Sequence, residues 1–295
     1  MSNKLNTRVD LTEGSIIKKI VIFTIPMFFG NLFQQFYSIS DALIIGNFAD
    51  NDAFAAVNSI GSFVFLLVGF FNGIGMGASV VISKYIGAKD KENIKKSIHT
   101  VCAFGVVASI LATVLGLVLT PFILKFMNTP KSVYSDSLTY LTIYFGGVST
   151  VIIYNICMGI MRATGDSTYP LFFLIISSFL NVILDLLFVA GFKMGVGGAA
   201  IATVISQGVS CFLCILRMCR LNDETRLVIR DIKFYDNMIK QILLIGLPTG
   251  VQNSIISIGN IVVQSNINLF GSYAMSGYGA YSKIEGFVFL PISCM

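Results

Sequence analysis

Residues 178–191 read SFLNVILDLLFVAG, an apolar run holding one amide, Asn181, and one carboxylate, Asp185. Four residues apart, the two side chains stack on one side of an α-helix. On a soluble helix such a pair marks the face turned to water, whereas in lipid it marks the face turned away from the surroundings. Composition decides between the two. Of the 295 residues 55% are hydrophobic and 12% charged, against about 25% charged in an ordinary soluble domain. The apolar residues fall into blocks long enough to cross a bilayer, which takes about 20 residues as helix. Eight are predicted, over 16–46, 54–83, 98–126, 133–161, 168–190, 195–219, 238–270 and 274–295. The fold class is therefore all-α, a polytopic membrane helical bundle. Several blocks exceed the minimum, as tilted or bent helices do. Pro26 and Pro248 are the expected bending points of the first and seventh, since proline removes a helix hydrogen bond and clashes with the preceding turn.

Residues 1–15 are too polar for the apolar core of a signal peptide, and no small-residue cleavage pattern follows Lys18 and Lys19. The net charge of +5 raises nucleic-acid binding as a reading until the basic residues are placed on the map. Lys4 and Arg8 precede the first block and Lys18 and Lys19 stand at its start, five lysines lie between Lys84 and Lys96, Arg162 ends the fourth block, and six basic residues lie between Arg217 and Lys240. Only Lys125, Lys131, Lys193 and Lys283 fall elsewhere. This asymmetry predicts a cytoplasmic amino terminus by the positive-inside bias and leaves no nucleic-acid surface. The six cysteines lie within or at the ends of blocks and imply no disulfide framework. Cys211 and Cys214 form a single C-x-x-C in an apolar helix, which lacks the second pair a zinc site needs. His99, the only histidine, follows the lysine-rich loop and is expected to be solvated.

The polar stretch 218–237 separates six blocks from two. Laying Pro26 on Pro248 aligns TIPMFFGN (24–31) with GLPTGVQN (246–253), and SFVFL (62–66) resembles EGFVFL (285–290) after a short shift. An even number of spans per repeat gives parallel halves about an axis along the membrane normal, as in many secondary transporters. The expected organisation is a six-helix lobe over 1–219, a cytoplasmic linker over 220–237 and the first two helices of a second lobe over 238–295. Without the other helices of that lobe, these two are expected to pack poorly.

GFFNGIGMGA (69–78) has alternating glycines, but no strand precedes it as a dinucleotide loop requires. Gly69, Gly73 and Gly77 instead form a small-residue face of the kind that lets helices approach closely in lipid. The ionisable residues need more explanation, because one charged side chain at mid-bilayer costs at least about 2.5–3.5 kcal/mol. With the amino terminus inside, Asp41 and Asp185 each lie five or six residues, about 8–9 Å of helix, from the outer face. Thr203, on the re-entering sixth span, sits at a similar depth, with Asn181 one turn deeper. Two carboxylates, an amide and a hydroxyl form a hard oxygen cluster suited to a small cation or a shared proton. Gln34 and Tyr37 share the face of Asp41 on the first span, and with the deeper Met27 they are the expected substrate-facing surface. Lys283 and Glu285, two residues apart, point to different sides of the last span, and the sequence assigns them no partner.

In order, TIPMFFGNLFQQFYSISDALIIG, MRATGDSTYPL, NVILD and GVGGAAIATVIS resemble the amino-terminal lobe of the multidrug and toxic compound extrusion (MATE) family. The resemblance implies twelve spans in two six-helix lobes, with efflux of drugs or organic cations in exchange for Na+ or H+, no enzymatic activity and no cofactor beyond the coupling ion. It further implies a multi-pass protein of the cell membrane, monomeric when full length, whose partners are the lipid bilayer and a small-molecule substrate. Family members with an amino-lobe cation site take its ligands from positions that match Asp41, Asn181, Asp185 and Thr203. Other members carry an acidic residue in the seventh helix, where this sequence has Ile255 and Ile256. A flippase for lipid-linked or polysaccharide substrates is the nearest alternative. An intramembrane aspartyl protease also needs two membrane aspartates, but in Tyr-Asp and Gly-x-Gly-Asp pairings. Here Asp41 follows Ser40, Asp185 follows Leu184, and Ala163 opens ATGD.

Overall fold

The computed structural model describes residues 15–293, and Lys4, Arg8 and Cys294 lie outside them. Helices follow the apolar blocks closely. Among the described residues they are α1 (Ile16–Phe48), α2 (Asn51–Ser59), α3 (Gly61–Gly87), α4 (Lys91–Phe126), α5 (Lys131–Ala163), α6 (Thr168–Asp185), α7 (Gly195–Cys219), α8 (Asp236–Asn268) and α9 (Ser272–Ser293). Seven spans are long and apolar enough to cross a membrane when α2 and α3 count as one, and no strand occurs among the described residues. α1 and α8 continue through Pro26 and Pro248 as single helices.

The second block is interrupted where its local chemistry is weakest. Asn58 Nδ2 donates to the Phe54 carbonyl at 2.8 Å and Ser59 Oγ to that of Ala56 at 3.0 Å. Such side-chain bonds compete with the helix ladder, and Gly61 follows at once. The long helices keep large apolar side chains on the outside: Val107, Ile110, Val114, Val118 and Phe122 of α4 are all exposed at helical spacing. In water that stripe would favour aggregation; facing lipid tails it is at home. The interior is tightly filled around Phe63, Leu141, Phe145 and Ile152, which are fully buried where α3, α4 and α5 meet.

α8 does not pack poorly, contrary to the sequence-based expectation; it seats along the length of α3. The reason is the glycine face. A Cβ on Gly73 would stand 2.5 Å from the Gly250 nitrogen, and one on Gly77 would run into the Gly246 backbone. Two glycines on each helix thus bring the backbones into contact, which maximises dispersion where no hydrophobic effect drives association. Gly69 joins through its carbonyl, which accepts from Asn253 Nδ2 at 3.0 Å.

The linker between α7 and α8 is clasped to the first turns of α4. Lys95 pairs with Asp231 at 2.7 Å, and Lys91 pairs with Glu224. His99 is buried rather than solvated: Nδ1 meets the Lys95 carbonyl at 2.7 Å, and Nε2 accepts the Val228 N–H at 3.2 Å. The ring therefore donates through Nδ1 and accepts through Nε2, in its neutral form. The lysine partners hold the Glu224 and Asp231 carboxyls below their usual range. Those exposed pairs are worth little each, and their contribution, present at neutral pH, is lost as pH falls through the lowered carboxyl values. His99→Ala removes the acceptor of Val228 N–H and opens a hole. Amide exchange over 225–235 is expected to accelerate about tenfold, while exchange in the middle of α4 stays unchanged; equal rates in the linker would show the clasp to be incidental.

Candidate functional site

The buried positions of α6 are Pro170, Phe173, Leu174, Ser177, Asn181 and Asp185, one face at helical spacing. The amide and the carboxylate of the opening stretch therefore belong to the inward face, while Phe172, Phe179 and Ile183 face outward. α6 is fixed to α7 by two hydrogen bonds on that face, Ser177 Oγ to the Ser206 carbonyl at 3.0 Å and Ser210 Oγ to the Phe173 carbonyl at 3.1 Å. Directly after Asp185 the backbone widens into a π-helical turn over Leu186–Gly191. Such turns insert one residue's worth of slack and recur at functional positions. Here the change of pitch begins beside the carboxylate.

Asp41 of α1 and Asp185 of α6 lie within interaction range of each other. Asp185 and Asn181 are fully buried, and Asp41 and Thr203 are 8% and 7% exposed. Tyr37, one turn before Asp41, donates its hydroxyl to Thr203 Oγ1 at 3.2 Å, tying α1 to α7. Both Asp185 oxygens, Asp41 Oδ1, and both polar atoms of Asn181 are buried with no hydrogen-bond partner. Leaving one such group unsatisfied costs about 1–3 kcal/mol, and more for a charged one. Orphaned oxygens on α1 and α6, with the Thr203 hydroxyl of α7 beside them, are a donor set suited to a small hard cation or to protons.

Two residues that the sequence reading passed over belong to the same group. Tyr140 and Tyr144 of α5 are buried and stacked, with ring centroids 6.1 Å apart and planes 11° apart, and Tyr140 lies in the field of Asp41, Tyr37 and Asp185. Their i, i+4 spacing, which puts both rings on one face of the block, was the available signal.

The remaining expected substrate residues are more dispersed. Tyr37 lines a cavity of about 300 Å3 between α1 and α6, with Phe33, Phe36, Ser40, Ser178, Phe179 and Val182. Met27 is half-buried deeper on α1, and Gln34 is exposed; neither lines that cavity. Lys283 and Glu285, left without partners by the sequence, both line a polar cavity of about 410 Å3 beside α1.

The family model MatE matches residues 26–187, which is more than half of the chain and includes Asp41, Asn181 and Asp185. This chain belongs to the MatE family. It is 30% identical over 285 residues to the probable multidrug resistance protein YpnP of Bacillus subtilis (strain 168), covering 96% of this chain and 63% of that protein. Against the multidrug export protein MepA of Staphylococcus aureus it is 26% identical, covering 93% of this chain and 61% of that one. The chain thus spans about three fifths of the length of these MatE relatives. Among solved structures, the MATE multidrug transporter DinF-BH superposes with a TM-score of 0.88 at 24% identity, over 99% of this chain and 66% of that one. An outward-facing MATE transporter of the MOP superfamily gives 0.86 at 23% identity, over 100% and 65%. At these identities the superpositions establish the MatE helical fold. These relatives and structural neighbours are named as resistance, export or transport proteins.

Proposed function

We propose that this chain forms the cation-coupling part of a secondary antiporter that exports drugs or organic cations in exchange for Na+ or H+. The observation that carries the reading is the buried Asp41–Asp185 pair with its orphaned oxygens. Membership of the MatE family and the export activity named for its relatives support it. Like charges held close in a low dielectric repel, and a bound cation or proton removes the repulsion, so the two carboxyls take up charge as a unit. Asn181 and Thr203 supply neutral oxygens to complete the shell. Loading draws α1, α6 and α7 together, and the α1 surface around Tyr37 narrows with them, which couples cation entry to release of drug. Met27 and Gln34 extend the substrate-facing strip of α1 toward the inner side. One charge moving through 100 mV contributes about 2.3 kcal/mol, enough for a gradient of about fifty-fold per neutral drug exchanged.

In this reading the protein sits in the cell membrane as a monomer, with its amino terminus and the clasped linker in the cytoplasm. Single cysteines at Lys91 and Asn128 in a cysteine-free background are then expected to label from opposite sides; labelling of both from outside rejects the orientation. Drug uptake into inside-out vesicles carrying the full-length protein, with Na+ and pH gradients imposed separately, tests the coupling. Uptake that responds to one gradient identifies the ion, and uptake indifferent to both refutes antiport. Tyr37→Phe removes one hydrogen bond worth about 0.5–1.5 kcal/mol. It is expected to weaken cation binding roughly two- to tenfold in equilibrium binding of the responding ion; an unchanged affinity would mean that the Tyr37–Thr203 bond does not position Thr203 for the ion.

A further inference from the structure

Lys283 is a charged side chain that α9 brings against α1, and it lands beside the proposed coupling site. Its ammonium donates to Ser38 Oγ at 2.5 Å, and its backbone carbonyl accepts from Gln35 Nε2 at 2.7 Å, so both ends of the residue are docked on one α1 face. Ser38 precedes Asp41 by three residues, which puts the two on neighbouring positions of that helix, and Lys283 and Asp41 lie in each other's field. An ammonium has three protons to donate and Ser38 takes one.

The surroundings narrow the choice of anionic partner. The cavity holding the ammonium is lined by neutral polar groups from α2 and α8, among them Asn58, Asn260 and Gln264. Among the described residues, the other ionisable side chains on its wall are Glu285, two residues along the same helix, and Tyr278. The Glu285 carboxylate accepts from the Tyr281 hydroxyl at 3.4 Å, on its own helix. Asp41 is the carboxylate that α1 offers, and its Oδ1 is buried without a hydrogen-bond partner. A lysine at this position costs free energy in a membrane unless it is compensated, and the compensation available across the interface is Asp41.

We propose that Lys283 is a tethered counter-cation for Asp41, held there while the coupling ion is absent and displaced when a monovalent cation or proton loads the carboxylate pair. The inference rests on the coupling reading above and adds a part from beyond the linker. A lysine on α9 competes with the ion for the same charge, so the α1–α9 contact and cation occupancy exclude each other. Ion binding then frees α9 from α1, and the competition makes cation affinity depend on how the two helices sit. Phe36 and Phe287, whose rings meet edge to face at 5.6 Å on the same interface, are released in the same step.

The test is radioactive Na+ binding to the full-length protein in nanodiscs, from about pH 6 to about pH 8.5, in wild type, Lys283→Gln, Lys283→Arg, Asp41→Asn and the Asp41→Asn/Lys283→Gln double variant. Removing the tethered charge is expected to tighten Na+ binding at least tenfold in Lys283→Gln. Lys283→Arg is expected to stay near wild type, and both variants lacking Asp41 to lose binding. Affinity in Lys283→Gln equal to or weaker than wild type, with binding still lost in Asp41→Asn, overturns the counter-cation role and leaves the coupling site standing. Binding that survives Asp41→Asn, or is absent from Lys283→Gln, overturns the coupling site for Na+ and this inference with it. Thermal unfolding of each variant separates these outcomes from misfolding.

Discussion

Asp41→Asn and Asp185→Asn, made separately in the full-length protein, are expected each to reduce gradient-driven drug efflux at least tenfold, to the level of passive leak. Asparagine keeps the size of the side chain and resembles the neutral state of the carboxyl, so the packing of α1, α6 and α7 survives. What disappears is the charge that a cation or proton must neutralise, and with it the energetic difference between loaded and unloaded forms. A ligand that binds both forms equally shifts nothing, however tightly it binds. Drug binding measured without a gradient is therefore expected to remain within a few-fold of wild type, because the α1 cavity around Phe33, Tyr37 and Val182 is unaltered. The measurements are drug uptake by inside-out vesicles under an imposed Na+ or pH gradient, and equilibrium drug binding to the same preparations. Wild-type transport by both variants would return the two aspartates to a purely structural role.

The second large effect is expected at the seam between α3 and α8. Gly77→Leu and Gly246→Leu each place a side chain where the partner's backbone already lies; a Cβ on Gly246 alone would stand 2.7 Å from Ile74 Cα. Rigid backbone cannot give way as the tip of a flexible side chain can, so the helices must separate and the contacts along the seam are lost. Overpacking of well-filled interiors typically costs about 1–3 kcal/mol, and these substitutions are expected at or above the upper end of that range. Thermal unfolding followed by size-exclusion fluorescence should show a fall of about 10 °C or more, or little recoverable protein. Gly259→Ala is the control: it lies on the same helix with nothing within 4 Å of its Cβ, and replacing a helical glycine in open space is expected to be neutral or slightly stabilising. Equal stability of Gly77→Leu and Gly259→Ala would mean that the close approach of α3 and α8 is not what holds them together.

Composition and block length alone determined that the chain is a bundle of membrane helices, because the cost of bringing unbonded backbone into lipid leaves helices as the only open spanning structure. Periodicity determined which face of α6 is polar, and the four-residue spacing of Asn181 and Asp185 put both on it, since helical geometry is local. The glycine spacing on α3 likewise announced a close contact, but only the fold supplied Gly246 and Gly250 of α8 as the other half. The remaining features join residues far apart in sequence and could be decided only in three dimensions. His99 looked solvated beside its lysines until the linker folded back, burying the ring and giving Nε2 a donor in the Val228 N–H. Tyr140 and Tyr144 were passed over in the sequence until α5 brought Tyr140 into the field of the carboxylates, with Tyr144 stacked on it. Lys283 had no partner within its own helix and found Ser38 of α1, 245 positions away in sequence. The physical reason is common to all three: hydrogen bonding and helix pitch act over a turn and are written in local sequence, whereas a charge or ring nitrogen in low dielectric is settled by whichever groups packing delivers to it.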